Sequence, residues 1–349
     1  MFGPKAKIIE QDALEIAENF TSNEFSNFIG AKILVTGSTG LIGFYLVSTL
    51  KYLSIKFDLK LTIYCSSRNT KNAHNYISEY VDCDGIEFVE FGCENTLGTY
   101  DFIFHTASST NPIDLATRPL DVIKTNVQYT YDLLGLLKKE TGNFIFFSTR
   151  EIYGKKVDPE RKFVGESDYG IVDPLEIRSA YPESKRLGEN MVAAFGMQYG
   201  NPYRVARISH TYGPGIKLKD GRVLSDIIGA MVEDESIHLK SDGTHQISPT
   251  YVADVISGLL VSLTRGESGC YNISNHNEVY SVYDIASTAI QNCPDCQVTR
   301  QDAPVNSSLY LKHDTGILLS EKISELGWGF RVPLAEGMQR IYSHYKSST

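Results

Sequence analysis

Ile33-Leu-Val-Thr-Gly-Ser-Thr-Gly-Leu-Ile-Gly43 is the stretch whose reading decides the fold of this chain. Ile33 to Val35 is a short apolar run of the kind that forms a strand buried on both faces of a parallel sheet. Gly37, Gly40 and Gly43 follow, and Leu41, Ile42, Phe44, Leu46 and Val47 open an amphipathic helix. Gly37 lets the chain turn sharply off the strand. Gly40 lets backbone N–H groups approach a pyrophosphate with no Cβ between them, and Gly43 lets the helix pack close to the sheet. Strand, glycine turn and helix in that order predict a dinucleotide site lined by Gly37, Ser38, Thr39, Gly40, Leu41, Ile42 and Gly43.

Downstream the same alternation repeats. A second strand, Leu59 to Tyr64, runs into Cys65-Ser66-Ser67-Arg68. An acidic residue here would bind the adenosine ribose 2′-hydroxyl and favour NAD. Ser66, Ser67 and Arg68 could instead hold a 2′-phosphate, so NADP is expected ahead of NAD. Ile86 to Phe91 is a further strand. Asp101 to His105 is another, ending in a small-residue loop, Thr106, Ala107, Ser108 and Ser109, expected to lie over the cofactor. Val122 to Lys139 reads as one long helix carrying Asn126, and Asn143 to Ser148 as a strand buried on both faces. The class is therefore α/β, a doubly wound parallel sheet of the Rossmann type. Ligands of such sheets bind at the carboxyl ends of the strands, which is where Thr149, Arg150 and Glu151 fall.

Ala180-Tyr181-Pro-Glu-Ser-Lys185 starts the next helix and puts Tyr181 and Lys185 on one face, four residues apart. A free tyrosine, with a pKa of about 10, is a poor base. A nearby ammonium and the positive ring of an oxidised nicotinamide favour the phenolate. That phenolate can take a hydroxyl proton as hydride leaves the same carbon, with the Thr149 hydroxyl bonded to the reacting oxygen. The Met191 and Met197 side chains on this helix are expected to fill the core.

The 349 residues are enough for a large domain with a smaller lobe: an N-terminal helical extension over 1–30, a dinucleotide-binding domain over 31–205, and 206–349 as mostly a smaller lobe, some segments of which return to the sheet. No run approaches a membrane span and the N-terminus lacks a signal-like apolar stretch, so a cytoplasmic protein is expected. A net charge of −9 argues against a nucleic-acid or anionic-membrane surface. Cys293-Pro-Asp-Cys296 has no second pair beside it and reads as a surface loop. His105, His245 and His313 lack ligand spacing, so no metal is expected, and His105 reads as a packed, hydrogen-bonded residue.

Three motifs carry a family resemblance. Thr36-Gly37-x-x-Gly40-x-x-Gly43, Ser148-Thr149-x-Glu151-Ile-Tyr153-Gly154 and Tyr181-x-x-x-Lys185 resemble the extended short-chain dehydrogenase/reductases, within the branch acting on nucleotide sugars: epimerases, 4,6-dehydratases and decarboxylases. Arg207-Ile-Ser-His-Thr-Tyr-Gly-Pro214, Asp220-Gly-Arg-Val-Leu-Ser225, Tyr251-Val-x-Asp254, Tyr271-Asn272-Ile and Leu326-Gly-Trp328 extend the similarity to about residue 342. It implies Thr149, Tyr181, Lys185 and Glu151 as catalytic residues. It implies Ser109, Arg150, His210, Arg222 and Tyr251 at the substrate, and a homodimer through the helices near 122–139 and 183–199. His210 departs from the usual Asn, Ile247 from a common Arg, and Arg150 from the Asp that acts as acid in a 4,6-dehydratase. Glu151, the base at C5 in dehydratases, is kept; its structural alternative is a buried pair with Arg150 or Arg178. The expectation is hydride transfer at C4 of a nucleotide-diphosphate sugar, of the epimerase or dehydratase type. Alternatives are an NADPH-dependent reductase of 4-keto sugars, a UDP-glucuronate decarboxylase-like enzyme, and a non-catalytic NADP(H) sensor.

Overall fold

The computed structural model describes residues 2–293, 295–301 and 315–346. Seven parallel strands form the central sheet: β1 (Lys32–Thr36), β2 (Thr62–Ser67), β3 (Ile86–Glu90), β4 (Phe102–His105), β5 (Asn143–Thr149), β6 (Tyr203–Ile208) and β7 (Gly269–Ile273). Their spatial order is β7-β6-β5-β4-β1-β2-β3, with the order reversing between β1 and β4. The crevice expected of a doubly wound sheet opens at that switch point.

Alternate side chains feed two cores, as a strand period of two requires. Ile33, Val35, Phe104, Ile145 and Phe147 enter one, while Leu34, Ile103, Phe144, Phe146 and Val205 enter the other. Helices α1 (Lys7–Ala17), α2 (Leu41–Lys56) and α9 (Val252–Arg265) cover the first face; α5 (Pro119–Asn126), α6 (Gln128–Leu134) and α7 (Ala180–Tyr199) cover the second. Between these in the chain lie α3 (Thr70–Ser78), α4 (Pro112–Thr117) and α8 (Val223–Val232); α10 (Val282–Ala289), α11 (Glu321–Ser324) and α12 (Leu334–Lys346) follow. No described helix is long and apolar enough to cross a membrane.

Four expectations need correction. Strand β2 starts three residues late, because Asp58 and Lys60 take left-handed backbone angles (φ 53° and 55°) and keep the chain turning past Leu59. The long helix over 122–139 is two helices broken at Val127. After Leu134 the backbone leaves the helix altogether: Leu137 bridges to Tyr100, and Lys138 N–H donates to the Tyr100 carbonyl at 3.0 Å. Met197 is 86% exposed instead of buried. Cys293 and Cys296 are buried and joined as a disulfide.

The N-terminal segment is tied into the fold by charge. Asp12 of α1 is fully buried and accepts hydrogen bonds from the Tyr45 and Tyr251 hydroxyls, each at 2.8 Å. Arg340 of α12 pairs with it, and Glu15 (2.9 Å) and Glu336 (2.6 Å) hold the rest of that guanidinium. Burial pushes the Asp12 carboxyl up to about 6, against the pull of Arg340 and the two phenols. Tyr251 was expected at the substrate; its ring is 1% exposed and its hydroxyl is committed to Asp12.

Candidate active site

The glycine turn joins β1 to α2 as its residue types demand. Gly37 has φ +66°, and a Cβ there would meet the Ala107 Cα at 2.9 Å. Thr106 Oγ1 donates to the Thr36 carbonyl at 2.6 Å and Ala107 N–H to Thr36 Oγ1 at 3.2 Å, which presses the loop after β4 against the turn. The first bond within α2 runs from Phe44 N–H to the Gly40 carbonyl at 2.8 Å. The amides of Leu41, Ile42 and Gly43 precede it, so they are the helix-end donors for an anion. Ser38 is buried beneath the turn, whereas Thr39 and Gly40 face outward. A turn that any Cβ would fill, backed by free helix-end amides, fits a dinucleotide.

Gly43 is the tightest point: a Cβ would sit 2.3 Å from the Gly37 carbonyl oxygen. Gly43→Ala must move backbone, with an overpacking cost of about 1–3 kcal/mol. Calorimetric titration with NAD⁺ is expected to show roughly tenfold or greater weakening; unchanged affinity would contradict this role for the turn.

At the other end of the turn, only part of the expected phosphate-binding set is presented. Ser66 Oγ points away from the surface and donates to the buried Glu94 carboxylate at 2.5 Å. Tyr129 OH donates to the same oxygen, and Gly92 N–H to the other at 2.8 Å. A carboxylate from the turn after β3 thus lies against the end of β2. Ser67 Oγ is buried without a partner, and Arg68 is exposed. Ser108 Oγ donates to Asn126 Oδ1 at 2.9 Å, and Asn126 Nδ2 donates to Ser184 Oγ at 3.0 Å, coupling the loop after β4 to α7. Ser109 is committed to Asp114 at 2.7 Å.

Strand β5 ends at Thr149, and a single 3-10 turn, Arg150–Tyr153, follows it. Helix α7 starts at Ala180, so Tyr181 lies in its first turn and Lys185 one turn on. The Thr149 hydroxyl accepts from Glu151 N–H at 3.3 Å and lies near enough to the Tyr181 phenol to act on it. Burial pushes that phenol above its ordinary value and the Glu151 carboxylate adds to this; the Thr149 hydroxyl, Arg178 and Arg222 pull it back. Lys185 is 2% exposed, donates to the Phe147 carbonyl at 2.8 Å, and lies 4.7 Å from the Phe146 ring centroid. Burial pushes its amine down to about 7, opposed by Glu189. Glu151, Arg178 and Arg222 are the charges that act most on the phenol.

Glu151 pairs with Arg178, with nitrogen–oxygen distances of 2.9 Å for both prongs. Arg150 bonds the Thr315 hydroxyl. Arg222 pairs with Asp220 at 2.8 Å and reaches Thr110 at 3.4 Å. His210 is held neutral by burial and by Arg150 and His245 nearby. Below the site, Glu189 accepts from Ser148 Oγ at 2.5 Å and from Arg207 at 2.7 Å, anchoring the end of β5 to α7 and β6. His105 Nδ1 lies 2.9 Å from Thr36 Oγ1, and burial with Lys185 pushes the imidazole down to about 3. It is a packed neutral histidine, as read from the sequence. Among the described residues no cluster of His, Cys, Asp and Glu could hold a metal; His313 lies outside them.

Sequence reasoning gave no role to Glu94 and Glu189, whose positions lie in no quoted motif, or to Arg207, which opens one, because each acts through a contact between separate segments.

The sequence profile of the NAD-dependent epimerase/dehydratase family matches residues 33–274. The UDP-glucuronic acid decarboxylase 6 of Arabidopsis thaliana is 30% identical over 317 residues, covering 90% of this chain and 89% of that protein. Among solved structures, the UDP-glucose 4-epimerase of Thermotoga maritima superposes with a TM-score of 0.74 at 22% identity, over 91% of this chain and 99% of that one. The UDP-glucuronic acid 4-epimerase of Bacillus cereus, solved with UDP-glucuronic acid and NAD, gives 0.71 at 22% identity over 91% and 100%. This chain is an enzyme of the NAD-dependent epimerase/dehydratase family.

Proposed function

We propose that this enzyme oxidises C4 of a UDP-sugar, works on the resulting 4-keto sugar, and then reduces it. The observation that supports the reading is the Thr149 hydroxyl at the carboxyl end of β5, near the Tyr181 phenol in the first turn of α7. Tyr181, as phenolate, takes the C4 hydroxyl proton, and Thr149 holds that oxygen. Bound NAD⁺ supplies the hydride acceptor. Lys185, held by the Phe147 carbonyl, would use its remaining N–H groups to bind the cofactor ribose. Glu151, beside the developing ketone, is placed to act at C5. The elements after residue 206, with Arg222, would close over the nucleotide diphosphate.

NAD⁺ is preferred over NADP⁺ in this reading, the reverse of what Ser66, Ser67 and Arg68 suggest in sequence. Glu94 occupies the Ser66 hydroxyl and puts a buried negative charge where a 2′-phosphate would approach. Fluorescence titration is expected to show at least tenfold tighter NAD⁺ than NADP⁺ binding, and Glu94→Gln to narrow that ratio. Equal affinities in the unmodified protein would reject it. With Ser66 committed, the NADPH-dependent reductase reading loses its main support.

A second reading, UDP-glucuronate decarboxylation, is favoured by the named relative. A 4-ketone turns a C5 carboxylate into a β-keto acid, which loses CO₂ readily. Ile247, buried at 1% exposure, supplies no cation to a carboxylate, but Arg150 and Arg222 stand at the site. Mass spectrometry of reactions with UDP-glucose and UDP-glucuronic acid separates the outcomes: an isomer of unchanged mass for epimerisation, loss of water for dehydration, loss of CO₂ for decarboxylation. No product from either sugar would count against a UDP-sugar substrate.

The enzyme is also proposed to be a homodimer. Leu120 on α5, Tyr131 on α6, and Leu187 and Met197 on α7 are 77%, 68%, 47% and 86% exposed on the face expected to pair. Light scattering at micromolar concentration is expected to give twice the chain mass; a monomer would reject the pairing.

A further inference from the structure

The Glu151–Arg178 pair lies closer to the reacting phenol than a purely structural ion pair needs to. Glu151 sits in the turn after β5 and Arg178 in the single turn that leads into α7, three residues before Tyr181. Their side chains are 14% and 10% exposed, and the Arg178 guanidinium carbon is 5.9 Å from the Tyr181 ring centroid. Arg178 Nη2 donates to Glu151 Oε1, whereas Nη1 makes a charge contact with Oε2 without hydrogen-bond alignment; Arg178 Nε has no partner. The pair is held by charge and is only partly satisfied by hydrogen bonds.

We propose that Arg178 is a positioning residue that sets the charge balance at Tyr181. By pairing with Glu151 it cancels the carboxylate facing the phenol, and so fixes the pH at which Tyr181 becomes a base. This rests on the reading of Tyr181 as the proton acceptor.

The groups around the phenol support the assignment element by element. From the end of β5 come the Thr149 hydroxyl and, one turn on, the Glu151 carboxylate. From the turn before α7 comes Arg178. From the segment before α8 comes Arg222, whose charge Asp220 largely cancels through contacts of 2.8 to 3.1 Å. On its own helix, Lys185 is directed at the Phe147 carbonyl. Among the described residues Glu151 is therefore the anion named as acting on the phenol, with Arg178 as its counter-ion. Removing Arg178 leaves a negative charge next to a group that must itself become negative.

The test uses protein labelled with ¹³Cζ-tyrosine and saturated with NAD⁺, with the Tyr181 resonance assigned by its loss in Tyr181→Phe. The readout is the midpoint of its pH titration, which needs no substrate. Arg178→Gln is expected to raise the midpoint by about one pH unit or more. Glu151→Gln should lower it, and the double variant should return it near the starting value. Arg178→Lys, which keeps the charge, should stay close to the unmodified protein. Should Arg178→Gln fail to fold, the fall in Glu151→Gln decides alone. Midpoints unmoved in folded Arg178→Gln or in Glu151→Gln would overturn the proposal while leaving Tyr181 as the base. A Tyr181 resonance that does not titrate at all would overturn both.

Discussion

Tyr181→Phe is expected to lower kcat by about 10²–10⁴-fold, the range of a lost general acid–base group. The ring keeps its place against Leu115 and Val122, so folding and NAD⁺ affinity should change little. What disappears is the phenol oxygen that, in the proposed mechanism, accepts the C4 proton. Steady-state turnover and a cofactor titration on the same preparation check both halves. Near-full turnover in the variant would contradict the mechanism, and is what a non-catalytic sensor carrying this fold would show.

The second large effect lies far from the chemistry. Asp12→Ala removes the buried anion that Arg340 faces and the acceptor shared by Tyr45 and Tyr251. An uncompensated buried charge and two orphaned hydroxyls are expected to cost roughly 3 kcal/mol. Glu15 and Glu336 still hold part of the guanidinium and keep the cost at the lower end of that range. A lower urea midpoint at unchanged slope is the expected result. Tyr251→Phe, which removes one hydroxyl and leaves the ion pair, should cost only about 1 kcal/mol. An Asp12→Ala protein as stable as the unmodified chain would mean that α1 is merely draped on the domain.

The parts legible in sequence are those in which neighbouring residues build the feature. The glycine turn, the β1-to-α2 transition, and Tyr181 with Lys185 on one helical face are local, and periodicity with backbone chemistry is enough to read them. The parts that were not legible depend on contacts between distant segments. Ser66 looked like a phosphate ligand because nothing local shows that Glu94, 28 residues on, takes its hydroxyl. Tyr251 sat in a motif resembling a substrate contact, yet its partner Asp12 is 239 residues away. The helix over 122–139 was apolar at helical spacing throughout. Its end at Leu134, before Gly135, goes with the contacts of Tyr100 to Leu137 and Lys138, which come from a distant segment. Arg178 and Arg222, which also act on Tyr181, carried no sequence signal of that role, because the contacts form only when their segments fold against α7.

The most direct test of C4 chemistry is to follow the hydrogen itself. The nucleotide sugar turned over in the product assay, carrying deuterium at C4, would be mixed with the NAD⁺-loaded enzyme and quenched at short times. Deuterium is expected to pass transiently to the nicotinamide and to return to the sugar product, with no net reduction of the cofactor. Product that forms with C4 deuterium undisturbed and with an unlabelled nicotinamide would contradict hydride transfer at C4.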